Sequence, residues 1–273
     1  MENSRLSRLH IQLLIKFIQI KTFGKYYVFK SREDIIQKAL LMFPSDYEFN
    51  KKITKIKESY QAIYENGHPL LGIFDLYTKT DFFQLLNEYY RKPPEKRKSS
   101  INTFINSIEQ ASSIHYDCYR QLETIAYNEI DLFLCNVASS LFYSLEIIPC
   151  NILVIRWIEN KYIPDCFGMN HEELTKGLIF EDRGFLSTSL YIKHIRKRIH
   201  NNNIDQWTVF LIKIDKNTVK GMYIHDNDDE YELLCEPSSV MQINRVYKKK
   251  NNCTIIETQL INNLRGCGII ISN

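Results

Sequence analysis

Leu6, Leu9, Leu13, Phe17 and Ile20 recur at helical spacing, so the chain opens on a predicted amphipathic helix over about residues 3–21. Gly24 interrupts the pattern. Ser31-Arg32-Glu33-Asp34 then has the form of a capping box and predicts a helix through Phe43. A third helix starts at Pro44-Ser45-Asp46, carries Phe49, Ile53, Ile56 and Tyr60, and stops at Asn66-Gly67; a fourth covers Thr80–Tyr90. Arg91–Ser100 (RKPPEKRKSS) joins two prolines to a basic run and reads as a linker. Helices resume with Ile101, Phe104, Ile105 and Ile108 and continue to about Glu146.

The period then changes. Asn151–Ile158 (NILVIRWI) is short, apolar and β-branched, as a buried strand should be, with one arginine inside it. A short helix is expected near Asn170–Lys176, and Gly184-Phe185 marks a turn entering a strand. Trp207–Ile214, Glu230–Leu234, Val240–Val246 and Thr254–Leu260 follow as strands, with Gly268–Ile271 as a possible last one. Helices first and strands afterwards give an α+β fold class. The linker divides it into a helical unit at 1–95 and an α+β domain at 96–273.

Charge sharpens that division. Residues 1–100 hold 18 Lys/Arg against 11 Asp/Glu, a net of +7, and the remainder holds 17 against 21, a net of −4. A basic helical head can meet an anionic surface or a protein partner, but such charges also serve as a solvated face, and nucleic-acid binding is not expected. The seven cysteines are odd in number, form no CxxC and sit in apolar surroundings. They read as reduced residues of a reducing compartment. The seven histidines show no metal-ligand spacing, and no metal is expected. No signal-peptide cleavage pattern is evident. The run Ile11–Ile20, broken by Gln12, Lys16 and Gln19, is too short to span a bilayer, so no transmembrane segment and a soluble protein are expected.

Three short stretches carry candidate chemistry. Arg156 lies in an apolar strand, where a guanidinium needs a carboxylate or phosphate partner. Ser187-Thr188-Ser189 could cap a turn or hold a carboxylate in one rotamer. Glu230 and Glu232 flank Tyr231; on a regular strand they would share one face, about 6–7 Å apart at ~3.3 Å per residue. Like charges that close favour a use, such as a cation, a substrate hydroxyl or a developing positive charge, although an exposed polar edge has the same pattern.

In this order, a strand Arg, Gly-Phe-x-Ser-Thr-Ser and Glu-x-Glu-Leu-Leu, the chain resembles the mono-ADP-ribosyltransferases of the cholera-toxin-like class over about residues 101–273. The resemblance implies helices packed on a mostly antiparallel β-sandwich, with NAD as substrate and no metal. It implies that Arg156 grips the phosphates or ribose of NAD, that Ser187 orients Glu232, and that Thr188 and Ser189 support the strand junction. Glu232 would stabilise the oxocarbenium-like charge formed as nicotinamide leaves. Glu230 would orient an acceptor arginine on a target protein and take its proton. Departures from the family pattern are Trp157, where Gly is common after the arginine, and Asn227, where an aromatic is common. Tyr223 is a candidate to replace that aromatic. In the basic stretch His194–Asn203, Arg196 or Arg198 could approach the phosphates of NAD.

An NAD glycohydrolase would use the same site with water as acceptor. A non-catalytic interaction protein could keep the fold, and a glycosidase could use the two glutamates on a carbohydrate. Relatives without a signal peptide are often bacterial effectors delivered into a host cell, which implies a host protein as target. Because the three motifs all follow the linker, a chain beginning near Lys98 is expected to fold and keep basal NAD hydrolysis. The alternative is that the N-terminal helices cover an apolar flank of the catalytic part.

Overall fold

The computed structural model describes residues 16, 23–43, 45, 82–92, 95–97, 134–135, 138, 141–191, 207–224, 231–248 and 254–261. The expected helices at 3–21 and 44–66, apart from residues 16 and 45, the expected helices over 101–133, the basic stretch His194–Asn203, Asn227, Glu230 and the strand at 268–271 lie outside the described residues.

Met1–Asp46 and Glu146–Asn273 form one compact unit, and Tyr47–Leu145 forms another. In the first, the described strands are β1 (Glu146–Ile147), β2 (Ile152–Glu159), β3 (Ile179–Asp182), β4 (Leu186–Ser189), β5 (Trp207–Ile214), β6 (Lys220–Ile224), β7 (Glu232–Cys235), β8 (Ser239–Lys248) and β9 (Thr254–Ile261). They make one mixed sheet in the order β1-β6-β7-β4-β2-β5-β9-β8-β3. Every pair is antiparallel except β5 with β9. The expectation of mostly antiparallel strands therefore meets one continuous hydrogen-bonded order, with β2 and β4 joined at Ile155 and Ser189.

Period-two alternation gives the sheet two apolar faces, as expected of a strand buried on both sides. Ile152, Val154 and Ile158 join Phe210, Ile212 and Ile214 in one cluster; Leu153 and Ile155 join Val209, Leu211 and Ile255 in another. Although β3 ends the strand order, Phe180 on it lies 6.1 Å from Phe210 on β5, and Phe167 packs edge-on at 4.8 Å from Phe180. The sheet thus curves until its last strand covers the middle ones. Phe167 closes a short helix, α3 (Ile163–Phe167), which the sequence did not announce; the helix expected near Asn170–Lys176 is a 3-10 turn, His171–Glu173, with an Asn170–Glu173 capping box.

The N-terminal stretch does not stand apart from this sheet. Helix α1 (Arg32–Met42) starts where the capping pattern predicts, with Ser31 Oγ accepting from the Asp34 backbone N–H at 3.1 Å. Its inner residues Ile35 and Ala39, with Phe29 and Phe43, belong to the same apolar cluster as β2 and β5. The backbone joins in as well: Tyr27 N–H donates to Asn151 and Leu153 N–H donates to Tyr27. Residues 23–43 therefore pack as part of the sheet unit, and the expected boundary at Arg91–Ser100 lies inside the other unit.

Tyr27 is held by Asp34. Its hydroxyl donates to that carboxylate at 2.8 Å, and Lys38 lies 2.7 Å from the same group. Burial alone would raise the Asp34 carboxyl, but hydrogen bonds from Lys38, Tyr27 and the Lys30 backbone outweigh it and hold it below the ordinary range. A depressed folded pKa stabilises above the unfolded value, about 4, and that contribution disappears as pH falls through the folded one. Asp34→Asn is expected to lower the thermal midpoint at pH 7, with the difference from wild type shrinking toward pH 3. Equal differences at both pH values in thermal melts would contradict this.

In the unit Tyr47–Leu145, helix α2 (Phe82–Arg91) matches the fourth predicted helix closely. Tyr89 is buried there, with its hydroxyl 3.3 Å from Cys135 Sγ and Arg97 over its ring. No helix among the described residues is long and apolar enough to cross a membrane.

Candidate active site

Strands β7, β4 and β2 are neighbours in the sheet, so the three motifs, far apart in the chain, come together on three adjacent strands. Ser189 lies opposite Glu232 and Ser187 opposite Leu234. Opposed antiparallel residues share a face, and so do positions two apart, so Ser187, Ser189 and Glu232 lie on one face, Ser187 diagonal to the carboxylate. Glu232 is only 5% exposed. Thr188 points the other way and donates to the Leu233 carbonyl at 2.7 Å, tying β4 to β7. Ser189 Oγ accepts from the Tyr191 N–H at 3.1 Å, where the strand ends.

The strand does not run evenly through the Glu-x-Glu stretch. β7 begins at Glu232, and Tyr231 before it has φ 49°, in the left-handed region. A non-glycine residue there costs on the order of 1–3 kcal/mol. It is held by its carbonyl, which accepts from Leu190 N–H at 2.9 Å, and by its ring, edge-on to Tyr191 at 5.5 Å. Strand alternation requires extended backbone, and Tyr231 departs from it immediately before β7 begins; Glu230 lies outside the described residues.

Arg156 follows Ile155, the residue that pairs with Ser189, so its side chain leaves the opposite side of β2. Its register partner on β5 is Phe210. The guanidinium finds the expected carboxylate: Nη1 lies 3.0 Å from Asp182 Oδ2, with Asp182 fully buried and Arg156 12% exposed. The contact is close, but Nη1 makes no directed hydrogen bond. A guanidinium presents a planar fork of five donors, a geometry suited to an anionic group such as a pyrophosphate. Burial pushes the Cys235 thiol up, Glu236 and Glu232 add to that, and Arg156 opposes it.

Tyr223 does not stand in for the missing aromatic on the Glu232 face. It pairs with Leu233, on the other side of the sheet, and is part of the apolar core. Trp157 packs against the cluster around Leu153 and Ile155. Asp182 escaped the sequence reading; the clue was its place two residues before Gly184, where an Asx turn can accept the glycine N–H. Among the described residues no group of three His, Cys, Asp or Glu is placed to hold a metal ion, and Cys135, Cys150, Cys166 and Cys235 are free thiols.

The sequence profile of the ADP-ribosyltransferase exoenzyme family matches residues 72–263. The chain belongs to that family. This ADP-ribosyltransferase is accordingly an NAD-dependent transferase with NAD as its substrate. In structure it is similar to Vis toxin, an ADP-ribosyltransferase from Vibrio splendidus, at 17% identity, over 90% of this chain and 91% of that one, with a TM-score of 0.45. It is also similar to the catalytic domain of VsdC from Aeromonas hydrophila, at 17% identity, over 69% of this chain and 97% of that one, TM-score 0.44. A third likeness is to C3stau2 from S. aureus, solved with NAD, at 15% identity, over 65% of this chain and 87% of that one, TM-score 0.36. No curated protein matches the transferase in sequence.

Proposed function

We propose that this ADP-ribosyltransferase moves ADP-ribose from NAD to an arginine side chain of a target protein, with Glu232 and Glu230 as catalytic residues. The observation that carries the reading is the buried Glu232 opposite Ser189, with Ser187 on the same face; Arg156 lies on the next strand, β2, directed to its other side. Arg156 holds the anionic part of NAD. Ser187 orients the Glu232 carboxylate, and Thr188 and Ser189 keep β4 in register with β7.

The bond that breaks joins the nicotinamide nitrogen to the ribose anomeric carbon. Its electron pair leaves with nicotinamide, and Glu232 stabilises the positive charge developing at that carbon. A guanidinium nitrogen of the acceptor forms the new bond and gives up one proton to Glu230. A carboxylate suits this acceptor because it can pair with the planar fork of an arginine. The free thiols are in keeping with a target met in the reducing cytoplasm of a host cell.

Labelled NAD incubated with the transferase and a host-cell lysate tests the reading. The label should appear on protein and map to arginine; label confined to Asn, Thr or Cys would overturn the acceptor, and nicotinamide release without protein labelling would make the protein an NAD glycohydrolase. Glu230→Gln separates the two carboxylates. It is expected to keep most of the hydrolysis and lose arginine transfer by about 10²-fold or more, the usual range for a positioned acid–base group. Parallel loss of both activities in this variant contradicts the role of Glu230.

A further inference from the structure

We infer that Asp182 is the positioning residue of the NAD site, setting Arg156 and the Ser-Thr-Ser strand in one arrangement. The inference rests on the reading that Arg156 binds NAD. The two oxygens of this one carboxylate divide their work: Oδ2 lies 3.0 Å from Arg156 Nη1, and Oδ1 accepts the Gly184 backbone N–H at 3.0 Å. Gly184 is the middle residue of the three-residue link from β3 to β4, and β4 begins one residue before Ser187. Asp182 is fully buried, so neither contact is diluted by water.

The geometry matters for what stays available. A carboxylate that met the guanidinium through both oxygens would occupy two of its five donors. Here Oδ2 makes the close contact with Nη1 while Oδ1 accepts from Gly184. Asp182 thereby holds the cation beside the turn that leads into the Ser-Thr-Ser strand. A negative charge beside Arg156 does not itself attract NAD. Its effect on binding therefore comes through the orientation of the guanidinium and the register of β4 relative to β2.

The test uses the full chain and follows nicotinamide release, NAD binding by Trp fluorescence, and thermal melting. Asp182→Asn keeps an oxygen for Gly184 but loses the charge opposite Arg156. It should lower kcat/KM by roughly 10- to 100-fold, as for a misplaced binding group, with most of the change in KM. Arg156→Lys should raise KM in its own right, and adding Asp182→Asn to it should have little further effect, because the two act as one unit. A wild-type KM in Asp182→Asn, or effects that multiply in the double variant, would overturn the inference. A KM unmoved by Arg156→Lys instead defeats the reading of Arg156, and the inference with it. If Asp182→Asn does not accumulate as folded protein, Asp182→Glu carries the test. It keeps the charge but displaces the Gly184 contact, so a raised KM is expected, and a lowered thermal midpoint with wild-type KM would make Asp182 structural only.

Discussion

Glu232→Ala is expected to abolish both nicotinamide release and ADP-ribosyl transfer, lowering kcat by about 10²–10³-fold, or ~3–4 kcal/mol of transition-state stabilisation. The size follows from where the carboxylate sits. It is buried at the start of β7, so the field it exerts on a developing cation is little screened by water. Substrate binding should change less, since the charge to be stabilised is larger in the transition state than in NAD itself. Nicotinamide release measured at saturating NAD checks this, with thermal melting to confirm that the variant is folded. A folded variant within a few-fold of wild-type kcat would remove Glu232 from the catalytic role. The contrast with Glu230→Gln is informative: loss of both activities in one variant and of transfer alone in the other separates bond breaking from acceptor capture.

A chain beginning at Lys98 is expected to be insoluble or unfolded, and to show no NAD hydrolysis. It retains Arg156, Ser187 and Glu232, but it lacks Phe23, Phe29, Ile35 and Phe43, all buried against the sheet. Full burial of such side chains contributes about 1.5–3 kcal/mol each. Four of them together match the ~5–15 kcal/mol by which a whole domain is stable. The loss also strips β2 of its Tyr27 partner and exposes apolar faces of β2 and β5. Soluble protein with basal hydrolase activity from the shortened chain would contradict this, and would restore the view that the N-terminal part serves only target recognition. Within the full chain, Phe29→Ala offers a milder version, expected to cost about 3–5 kcal/mol as a lowered thermal midpoint.

The local elements and the chemistry of the candidate residues were legible from the order of residues alone. The apolar β-branched runs of β2, β5 and β9 and the Ser31 cap are near-neighbour patterns, and the structure has each within a residue or two. β3 and β6 were not legible, because Ile179–Asp182 and Lys220–Ile224 are too short and too mixed to show a period. The Arg, Ser-Thr-Ser and Glu-x-Glu stretches could be named one by one, and the family resemblance follows from their order. Their meeting on adjacent strands is a matter of sheet order, which depends on pairings between distant parts of the chain. So does the membership of residues 23–43: a stripe of apolar positions says that a helix needs a partner and not which one. Asp182 shows the same limit most plainly. Its side chain is an ordinary acidic residue at the end of a short strand until the sheet curves and brings β3 over β2, and only that long-range contact makes it the counter-charge of Arg156.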